Sequence, residues 1–599
     1  MEEKRNNQRP ILPLETSPNP ITPPIQVGTP FNVRRGTYVK QWLRDSTRLI
    51  APLLAVYLLI SCIQQHPRRF QFNPFVHRPA DICKQEQPLR PSGDVVEKIA
   101  HALKSDDFAA RAAEALGGAV RVSTEVFDGW GLVGSDPRWG NFSLFHRYLE
   151  ATFPRTHSNL VLTKVNTYGL LYEWKGSDDS LAPLLLMAHQ VDPAAYSLWK
   201  EPPYSGKLVD GYVWGRGSVD FKSGLIGILL AVETLLEERW TPRRTITLSF
   251  GFDEETSGLQ GASSLSKYLE EKQKKKFSMI VDEGGTYNMA FGRMTAAPAI
   301  AEKGYMDVRI KVNTPGGHSS IPPTHTSIGY LALLLAQLEA NPRPIHLARQ
   351  SPIFKSIECS AMHSPGISDR LRRQVIRASQ GDETALKKVE QYILSSDGPN
   401  AAWVRSVLGT TQAVDMIHGG VKSNALPEEA YAIVNHRVAI DSSLEALEDS
   451  LVSLLSPVVS KHNLDLIGFN NASVSEASGP SRGKVTLSDA WGDALEPAPV
   501  SPTDSAAYKL LSGSIRAAWE DAHPTEESII VAPSMMGGNT DTRWYWGLSD
   551  NIFRYSHLGE YHFYNGMHTV NEAIRLDGFV DMVKFFSILV LNADESKTI

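Results

Sequence analysis

Residues 184–192 read LLLMAHQVD, an apolar run that stops at a histidine and is followed three residues later by an acid. An uninterrupted apolar run of this length is typical of a strand buried on both faces of a sheet. Two similar runs follow at 245–250 and 277–281, and helical patterns at 221–238 and 261–272 separate the three. This alternation predicts an α/β fold, with a mixed sheet flanked by helices on both faces.

Each of the three predicted strands is followed by side chains that can bind a metal. His189 follows the first, Glu254 and Glu255 the second, and Asp282 the third. Asp220 lies where a glycine-rich turn enters a helix. Taken singly, such a histidine is usually a hydrogen-bonded core residue and such an aspartate a helix cap. Because ligands bind at the carboxyl ends of strands in open α/β sheets, the pattern predicts that these side chains meet at one edge.

The sequence changes character near residue 303. Residues 306–312 and 431–440 alternate apolar and polar side chains, which predicts strands with one wet face. Helical patterns lie near 327–340 and 443–460. We therefore expect a smaller α/β sandwich, a lid or dimerisation domain, to be inserted into the catalytic domain. The predicted parts are 91–302 (catalytic), 303–472 (inserted) and 473–599 (catalytic), with a Ser-, Pro- and Gly-rich connector at 472–502.

The N-terminal region predicts a membrane anchor. Residues 1–48 are expected to form a disordered cytosolic tail, since the first 30 contain seven prolines. Residues 49–63, LIAPLLAVYLLISCI, are uncharged and form the expected transmembrane helix, although they cover only ~22 Å of a ~30 Å core. Basic residues are more frequent before than after this segment, which favours a cytosolic tail. The polar residues 64–90 are expected to form a stalk. The alternative is a buried or interfacial helix.

Composition narrows the classes of partner and metal site. The net charge of −6 arises from 66 acids and 60 bases, so nucleic acid is not an expected partner. Of three cysteines, Cys62 lies in the apolar segment, which leaves at most the disulfide Cys83–Cys359. A metal must therefore be bound by His, Asp and Glu. Two glycosylation sequons, at Asn141 and Asn471, fit a body outside the cytosol.

Several short motifs occur in an informative order along the chain. They are MAH (187–189), GRGSVD (215–220), DEE (253–255), VDEGG (281–285), TPGGH (314–318), GGNTDTR (537–543) and NGMHTVNE (565–572). Together they resemble the M20 metallopeptidases, and among them the fungal carboxypeptidase S type. The resemblance covers residues from about 90 to 599, and the N-terminal anchor is also similar.

The resemblance implies a catalytic centre with two zinc ions per chain. The implied metal ligands are Asp220 bridging both ions, His189 and Asp282 on one, and Glu255 and His568 on the other. Carboxylates and imidazoles suit zinc in the absence of thiolates. Glu254 would be the general base for a metal-activated water.

The resemblance also implies a substrate class. Arg543 would bind a free C-terminal carboxylate, Asn424 would help to hold the substrate, and His318 would stabilise the transition state. Because the inserted domain of this family often dimerises, His318 could act on the partner in a homodimer. The implied activity is removal of the last residue of small Gly-Xaa peptides in a vacuole- or lysosome-like lumen, with the cell surface or secretory pathway as the alternative. An N-acyl-amino-acid amidase is the alternative activity.

The opening stretch departs from the family pattern His-x-Asp, in which the acid steadies the metal-binding imidazole. Here the acid, Asp192, is one residue late, and a one-residue shift turns a side chain to the opposite face of an extended chain. Relatives also read HQDVVPV with a longer spacing to a Trp, whereas Trp199 and PPYSG (202–206) come about four residues early. We infer a loss of four residues after Gln190, by deletion or by a misplaced splice boundary. An inactive relative that serves as a binding or dimer module is the alternative.

Inserting Asp-Val-Val-Pro between Gln190 and Val191 should raise zinc affinity and hydrolysis, because it restores an acceptor for the second imidazole nitrogen. The expected gain is ~10–100-fold. Zinc titration and steady-state kinetics measure it, with a Gly-Val-Val-Pro insertion of the same length as the control. Equal gains from both insertions would show that length, not the acid, matters. Sequencing the mature transcript across codons 185–200 separates a deletion from a splice error.

Overall fold

The computed structural model describes residues 82–190, 198–395 and 401–599. Its α-helices are α1 Asp94–Ala102, α2 Asp106–Arg121, α3 Asn141–Thr152, α4 Pro154–Asn159, α5 Lys222–Glu237, α6 Ala262–Lys272, α7 Ser327–Glu339, α8 Pro352–His363, α9 Asp369–Ser379, α10 Glu383–Ile393, α11 Ala401–Leu408, α12 Leu444–Lys461, α13 Ala506–Ala522 and α14 Leu576–Glu595. Its strands are β1 Val161–Val165, β2 Gly169–Trp174, β3 Leu184–His189, β4 Leu208–Val209, β5 Tyr212–Trp214, β6 Ile246–Gly251, β7 Met279–Ala290, β8 Arg293–Ala296, β9 Ala299–Glu302, β10 Gly304–Asn313, β11 Gly317–His318, β12 Thr411–Gly419, β13 Ala425–Leu426, β14 Glu429–Val438, β15 Asp465–Ile467, β16 Ser473–Ser475, β17 Lys484–Asp489, β18 Ile530–Val531, β19 Ser534–Met536, β20 Ile552–Gly559 and β21 Ala573–Arg575.

A mixed sheet forms the centre of the larger lobe. In the described residues its order is β1-β2-β6-β3-β7-β20-β9-β19, with β8 paired to β7 and to β18. The neighbours β6, β3, β7 and β20 run parallel, so their carboxyl ends lie at one edge. All six residues of β3 are buried, as its apolar sequence predicts.

Helices cover both faces of this sheet. On one face, α5 is apolar around most of its circumference and is buried between the sheet and the helices α2 and α14. On the other face, α6 and the segment around Tyr545 form a smaller apolar cluster with Leu185 and Ile280. The predicted mixed α/β architecture is therefore confirmed.

The inserted lobe has its own six-stranded sheet, ordered β12-β14-β10-β17-β15-β16 in the described residues. In β10 buried and half-buried positions alternate, and α7 and α12 pack against its buried side chains. The predicted end of this lobe at residue 472 is too early. Both β16 and β17 belong to its sheet, and β17 pairs along β10 from Val308 to Asn313. The connector predicted at 472–502 therefore begins only after Asp489.

Helices α8 to α11 interrupt the inserted lobe and were not predicted as a separate unit. They form one apolar cluster that includes Ala301 and Met535 of the larger lobe, and α8 packs against β9, β18 and β19. The disulfide Cys83–Cys359 links α8 to the N-terminal segment. A single apolar pattern in sequence cannot reveal which sheet a helix will cover.

The predicted tail (1–48) and anchor (49–63) lie outside the described residues, as does most of the predicted stalk. Residues 82–90, the end of that stalk, instead lie against the larger lobe. Gln85 exchanges two hydrogen bonds with the backbone of Val531, and Leu89 N donates to Gly513 O. In the part of the chain that the structure describes, no helix combines the length and apolar character needed to cross a membrane.

Candidate metal centre

His189 lies at the carboxyl end of β3, between the parallel strands β6 and β7. Its side chain is 2% exposed. Its Nε2 lies 3.2 Å from Asp220 Oδ1 and 3.2 Å from Glu283 Oε2. The imidazole therefore presents one nitrogen to two carboxylates at the sheet edge that the sequence predicted.

Asp220 contacts a second imidazole with its other oxygen. Asp220 Oδ2 lies 3.2 Å from His568 Nε2, and His568 Nε2 lies 2.9 Å from Glu255 Oε1. The two oxygens of one carboxylate thus face two different histidines. This is the arrangement required of a carboxylate that bridges two metal ions.

The backbone around Asp220 is held by Glu572, a fully buried carboxylate. Its Oε1 accepts hydrogen bonds from the backbone N–H of Val219 (2.7 Å) and of Asp220 (3.1 Å), and its Oε2 accepts one from Arg216 Nη1 (2.6 Å). Glu572 was not among the predicted site residues. Its position as the last residue of the motif NGMHTVNE was the available signal.

The adjacent glutamates point to different partners. Glu254 and Glu255 are the first two residues of a short 3-10 turn that follows β6. The buried Asp253 stabilises this loop, because its carboxylate accepts hydrogen bonds from the N–H of Gln260 (2.6 Å) and of Gly261 (2.8 Å). Glu255 faces His568, whereas Glu254 lies in a group with His189 and Glu283.

Glu283, which directly follows the predicted ligand Asp282, lies among the metal-binding side chains. In the described residues two groups have ligand atoms within 4.8 Å of one another, namely His189, Asp220 and Glu255, and His189, Glu254 and Glu283. Asp282 is in neither group, and its buried Oδ2 has no hydrogen-bond partner in the described residues. The pairing of β7 with β20 is irregular directly after Asp282. Asp282 as a metal ligand stays a prediction, and Glu283 is a further candidate ligand.

The other imidazole nitrogen of His189 has no partner in the described residues, although it is buried. Asp192, the acid that comes one residue later than the family's motif acid, falls in 191–197, outside the described residues. Gln190, the last described residue before this gap, is fixed by hydrogen bonds of its side chain. Gln190 Nε2 donates to the backbone oxygens of Tyr168 and Phe250, each at 3.0 Å, and Gln190 Oε1 lies 3.1 Å from His146 Nε2. The departure from the family pattern thus begins after a well-anchored residue.

Electrostatics at the centre favour a bound cation. Burial and the charge of Glu283 raise the pKa of Glu254 well above its usual value, and burial raises the pKa of Glu283 to about 8. Hydrogen bonds to Asp220 and Glu255 raise the pKa of His568 to about 10. Protons thus offset charge among these groups, and divalent cations would replace them. The donor set of two imidazoles and several carboxylates fits zinc.

Two cavities adjoin the centre and share Glu254 and His568. The first, about 300 Å³, contains two guanidinium groups, those of Arg437 and Arg543. Arg437 Nη1 donates to Asn539 Oδ1 at 3.1 Å. The sequence predicted Arg543 but missed Arg437, because Arg437 is distant in sequence and belongs to β14 of the inserted lobe.

The second cavity, about 200 Å³, lies beside Asp220 and Glu283. Most of its large side chains are apolar: Phe221, Met536, Leu558, Phe563 and Met567. We call the second cavity the apolar cavity and the first, after its two guanidinium groups, the cationic cavity, although Glu254, Glu255 and Asp541 also line it.

His318 and Asn424 lie together, but not at these cavities. Both are exposed on the ribbon formed by β11 and β13, where Ser319 N donates to Asn424 O at 3.3 Å. Neither lines the cationic or the apolar cavity. Within one chain, the structure does not bring these two predicted residues to the metal-binding side chains.

Comparison with known proteins agrees with the resemblance of the sequence motifs to the M20 metallopeptidases. The model of a family described as "Peptidase family M20/M25/M40" matches residues 189–592. Carboxypeptidase S of Saccharomyces cerevisiae is 37% identical over 525 residues, covering 86% of this chain and 89% of that protein. The Homo sapiens N-fatty-acyl-amino acid synthase/hydrolase PM20D1 is 30% identical over 505 residues, covering 80% and 87%.

A solved structure, that of human carnosine dipeptidase 1, has a similar fold. The TM-score is 0.55 at 15% sequence identity, and the match covers 84% of this chain and 100% of that chain. This likeness concerns the fold alone.

Replacing Glu283 with Gln should lower the zinc content from about two ions per chain to about one, because it removes a charged ligand beside His189. Elemental analysis of the purified variant measures this. Asp282→Asn is the matched control, adjacent in sequence and also buried, and it should keep both ions. Loss of zinc in Asp282→Asn with full zinc in Glu283→Gln would contradict this expectation and identify Asp282 as the ligand.

Proposed function

The chain belongs to peptidase family M20/M25/M40 and is a hydrolase of peptide bonds, and from this premise we propose that it is a two-zinc carboxypeptidase of small Gly-Xaa peptides. The observation that carries the proposal is the Asp220 carboxylate, whose oxygens lie 3.2 Å from His189 Nε2 and 3.2 Å from His568 Nε2. A single carboxylate between two imidazoles is suited to two adjacent metal ions rather than one.

Five side chains would hold the two ions. His189 and Glu283 would bind one, Glu255 and His568 the other, and Asp220 both. When bound, zinc lowers the pKa of a water and polarises a scissile carbonyl. The residues themselves set the spacing of the ions, and in the described part of the chain the donors of this cluster are His, Asp and Glu side chains.

Glu254 is the proposed general base. It lies beside His189 and Glu283 without being required by the bridging arrangement, and burial with the charge of Glu283 raises its pKa. A carboxylate of raised pKa takes a proton from water and returns it to the leaving amine. The C–N bond breaks, the water oxygen joins the acyl carbon, and the products are a carboxylate and a free amine.

The two cavities would orient the substrate. The guanidinium groups of Arg437 and Arg543 suit a free carboxylate, since each can donate two parallel hydrogen bonds. The leaving amino acid would then occupy the cationic cavity and the acyl side the apolar cavity. Because the cationic cavity includes residues of both lobes, closure of the inserted lobe would adjust it.

An N-acyl-amino-acid amidase is the second candidate. Its substrates carry the same free carboxylate, and the relative from Homo sapiens is named as acting on N-fatty-acyl amino acids. Comparing a blocked Gly-Leu dipeptide with N-acetyl-leucine separates the two activities. An inactive relative would bind close to no zinc and hydrolyse neither.

A second copy of the chain is the proposed source of His318 and Asn424 at each site. The ribbon that carries them lies away from its own metal centre, and the nearby edge strand β12 exposes Met416 (42%) and Ile417 (59%). An edge strand with exposed apolar side chains is suited to pairing between copies. His318 would then act across the interface of a homodimer.

Glu254→Gln and His318→Ala should each reduce hydrolysis, the first by ~10²–10⁴-fold because the proton acceptor is lost. Refolding or co-expressing the two variants together should restore about a quarter of wild-type activity, since one site in each mixed dimer has both groups. The measurement is hydrolysis of blocked Gly-Leu, with each variant alone as the control. A mixture no more active than its components would place His318 outside the site.

We also propose delivery of the body to a vacuole- or lysosome-like lumen. The disulfide Cys83–Cys359 is typical of an oxidising compartment. The sequon residues Asn141 and Asn471 are both exposed. Endoglycosidase treatment of the protein from its native host should therefore increase gel mobility, and Asn141→Gln with Asn471→Gln should remove that shift. An unshifted wild-type band would contradict glycosylation.

A further inference from the structure

Asn539 lies between the two cavities of the metal centre and has no role in the proposed function. It lines both the cationic and the apolar cavity. It follows β19 in the chain and therefore belongs to the larger lobe. Its half-buried side chain is an amide, which has both donor hydrogens and an acceptor oxygen. Asn539 can therefore bond to two different neighbours at once.

The amide of Asn539 connects the junction of the lobes to the cationic cavity. Its Nδ2 donates to the backbone oxygen of Lys303 at 2.7 Å, and Lys303 is the residue between β9 of the larger lobe and β10 of the inserted lobe. Its Oδ1 accepts a hydrogen bond from Arg437 Nη1 at 3.1 Å. Arg437 belongs to β14 of the inserted lobe. One side chain of the larger lobe thus contacts both the junction and a guanidinium of the inserted lobe.

The junction residue Lys303 is itself held in place. Its side chain is fully buried, and its Nζ donates to the backbone oxygens of Ser406 (2.7 Å) and Gly409 (2.6 Å) at the carboxyl end of α11. Its backbone N–H donates to Met536 O at 3.3 Å. The hydrogen bond from Asn539 to Lys303 therefore joins the amide to a segment that three other hydrogen bonds fix.

The two partners of Arg437 orient its guanidinium without offsetting its charge. One is the Asn539 amide, and the other is the ring of Tyr305, whose centroid lies 5.1 Å from the guanidinium carbon. Both partners are neutral. An aspartate at position 539 could accept the same hydrogen bond, but it would form an ion pair and compete with the carboxylate of a ligand. An amide is therefore suited to holding a guanidinium that has to bind an anion.

We propose that Asn539 is a positioning residue, which fixes the Arg437 guanidinium relative to the metal centre and so makes the enzyme select substrates with a free C-terminal carboxylate. This inference rests on the proposed binding of that carboxylate by Arg437. Asn539 acts through Arg437 and the lobe junction, not on the reacting atoms. A misplacement of about 1 Å in such a group can lower the rate by roughly 100-fold, so the position of Arg437 matters as well as its charge.

Hydrolysis of blocked Gly-Leu and of blocked Gly-leucinamide tests the role of Asn539. Asn539→Ala should lower kcat/KM for the acid by about tenfold, chiefly through KM, because a hydrogen bond to a charged group is lost. The value for the amide, which has no carboxylate for Arg437, should stay close to that of wild type. Equal losses for acid and amide would indicate general damage to the site and overturn the proposal.

Asn313→Ala is the matched control for Asn539→Ala. Asn313 is also half-buried, and its amide Nδ2 donates to Glu429 Oε2 at 3.1 Å. It lies at the end of β10 away from the lobe junction and lines neither cavity. Hydrolysis of both substrates by this variant should match wild type. Thermal unfolding of both variants checks that they fold.

Two further variants separate orientation from charge. Asn539→Asp should raise the KM for the acid more than Asn539→Ala does, because the added carboxylate competes for Arg437. In protein that already carries Arg437→Ala, Asn539→Ala should cause little further loss, because both substitutions remove the same interaction. Additive losses would show that Asn539 acts independently of Arg437. A wild-type KM for the acid in Asn539→Asp would contradict the need for a neutral partner.

Equilibrium binding separates this inference from the proposed function. Titration calorimetry measures the binding of blocked Gly-Leu and of its amide to zinc-loaded Glu254→Gln protein, with and without Asn539→Ala. If wild-type protein hydrolyses neither compound but Asn539→Ala removes about tenfold of a preference for the acid, the positioning role stands and the proposed function fails. If wild-type protein hydrolyses the acid and the preference is the same with Asn539→Ala, the positioning role fails and the proposed function stands.

Discussion

The Asp220 carboxylate has to face two imidazoles at once, and much of the surrounding structure maintains that position. Its two oxygens lie 3.2 Å from His189 Nε2 and from His568 Nε2. These histidines are 379 residues apart in sequence, so the contact depends on the whole larger lobe. The Glu572 carboxylate accepts a hydrogen bond from the backbone N–H of Asp220, and its own charge is paired with Arg216. A buried carboxylate without such donors would be strongly destabilising.

This constraint also explains why the centre is so acidic. Glu254, Glu255 and Glu283 converge on the same space as Asp220, and burial penalises each charge. Protonation relieves part of the repulsion, as the raised pKa of Glu283 indicates. Divalent cations would relieve it without protonating the ligands. The acidic cluster is therefore better suited to a metal-bound state than to a metal-free one.

A second buried carboxylate positions the loop that completes the cationic cavity. Glu302 is fully buried, pairs with Arg554 at 3.0 Å, and accepts hydrogen bonds from Thr540 (2.8 Å) and Thr542 (3.0 Å). Arg543 follows directly in this loop. Because Glu302 ends β9 and β10 of the inserted lobe begins two residues later, the junction of the lobes and the substrate cavity share one network. Movement of the inserted lobe would therefore shift the position of Arg543.

The sequence by itself determined the α/β class, the inserted lobe, and the placement of His189, Asp220 and Glu255 near one edge, whereas His568 was named only through the resemblance to the M20 metallopeptidases. Apolar periodicity specifies strands and helices locally, and parallel strands bring their ends together. Tertiary structure alone placed Glu283 beside His189, because the irregular pairing of β7 with β20 at this point leaves no periodic signal in the sequence. It also brought Arg437 into the cavity and placed α8–α11 on the larger lobe, since contacts between distant segments leave no periodic signal in either segment.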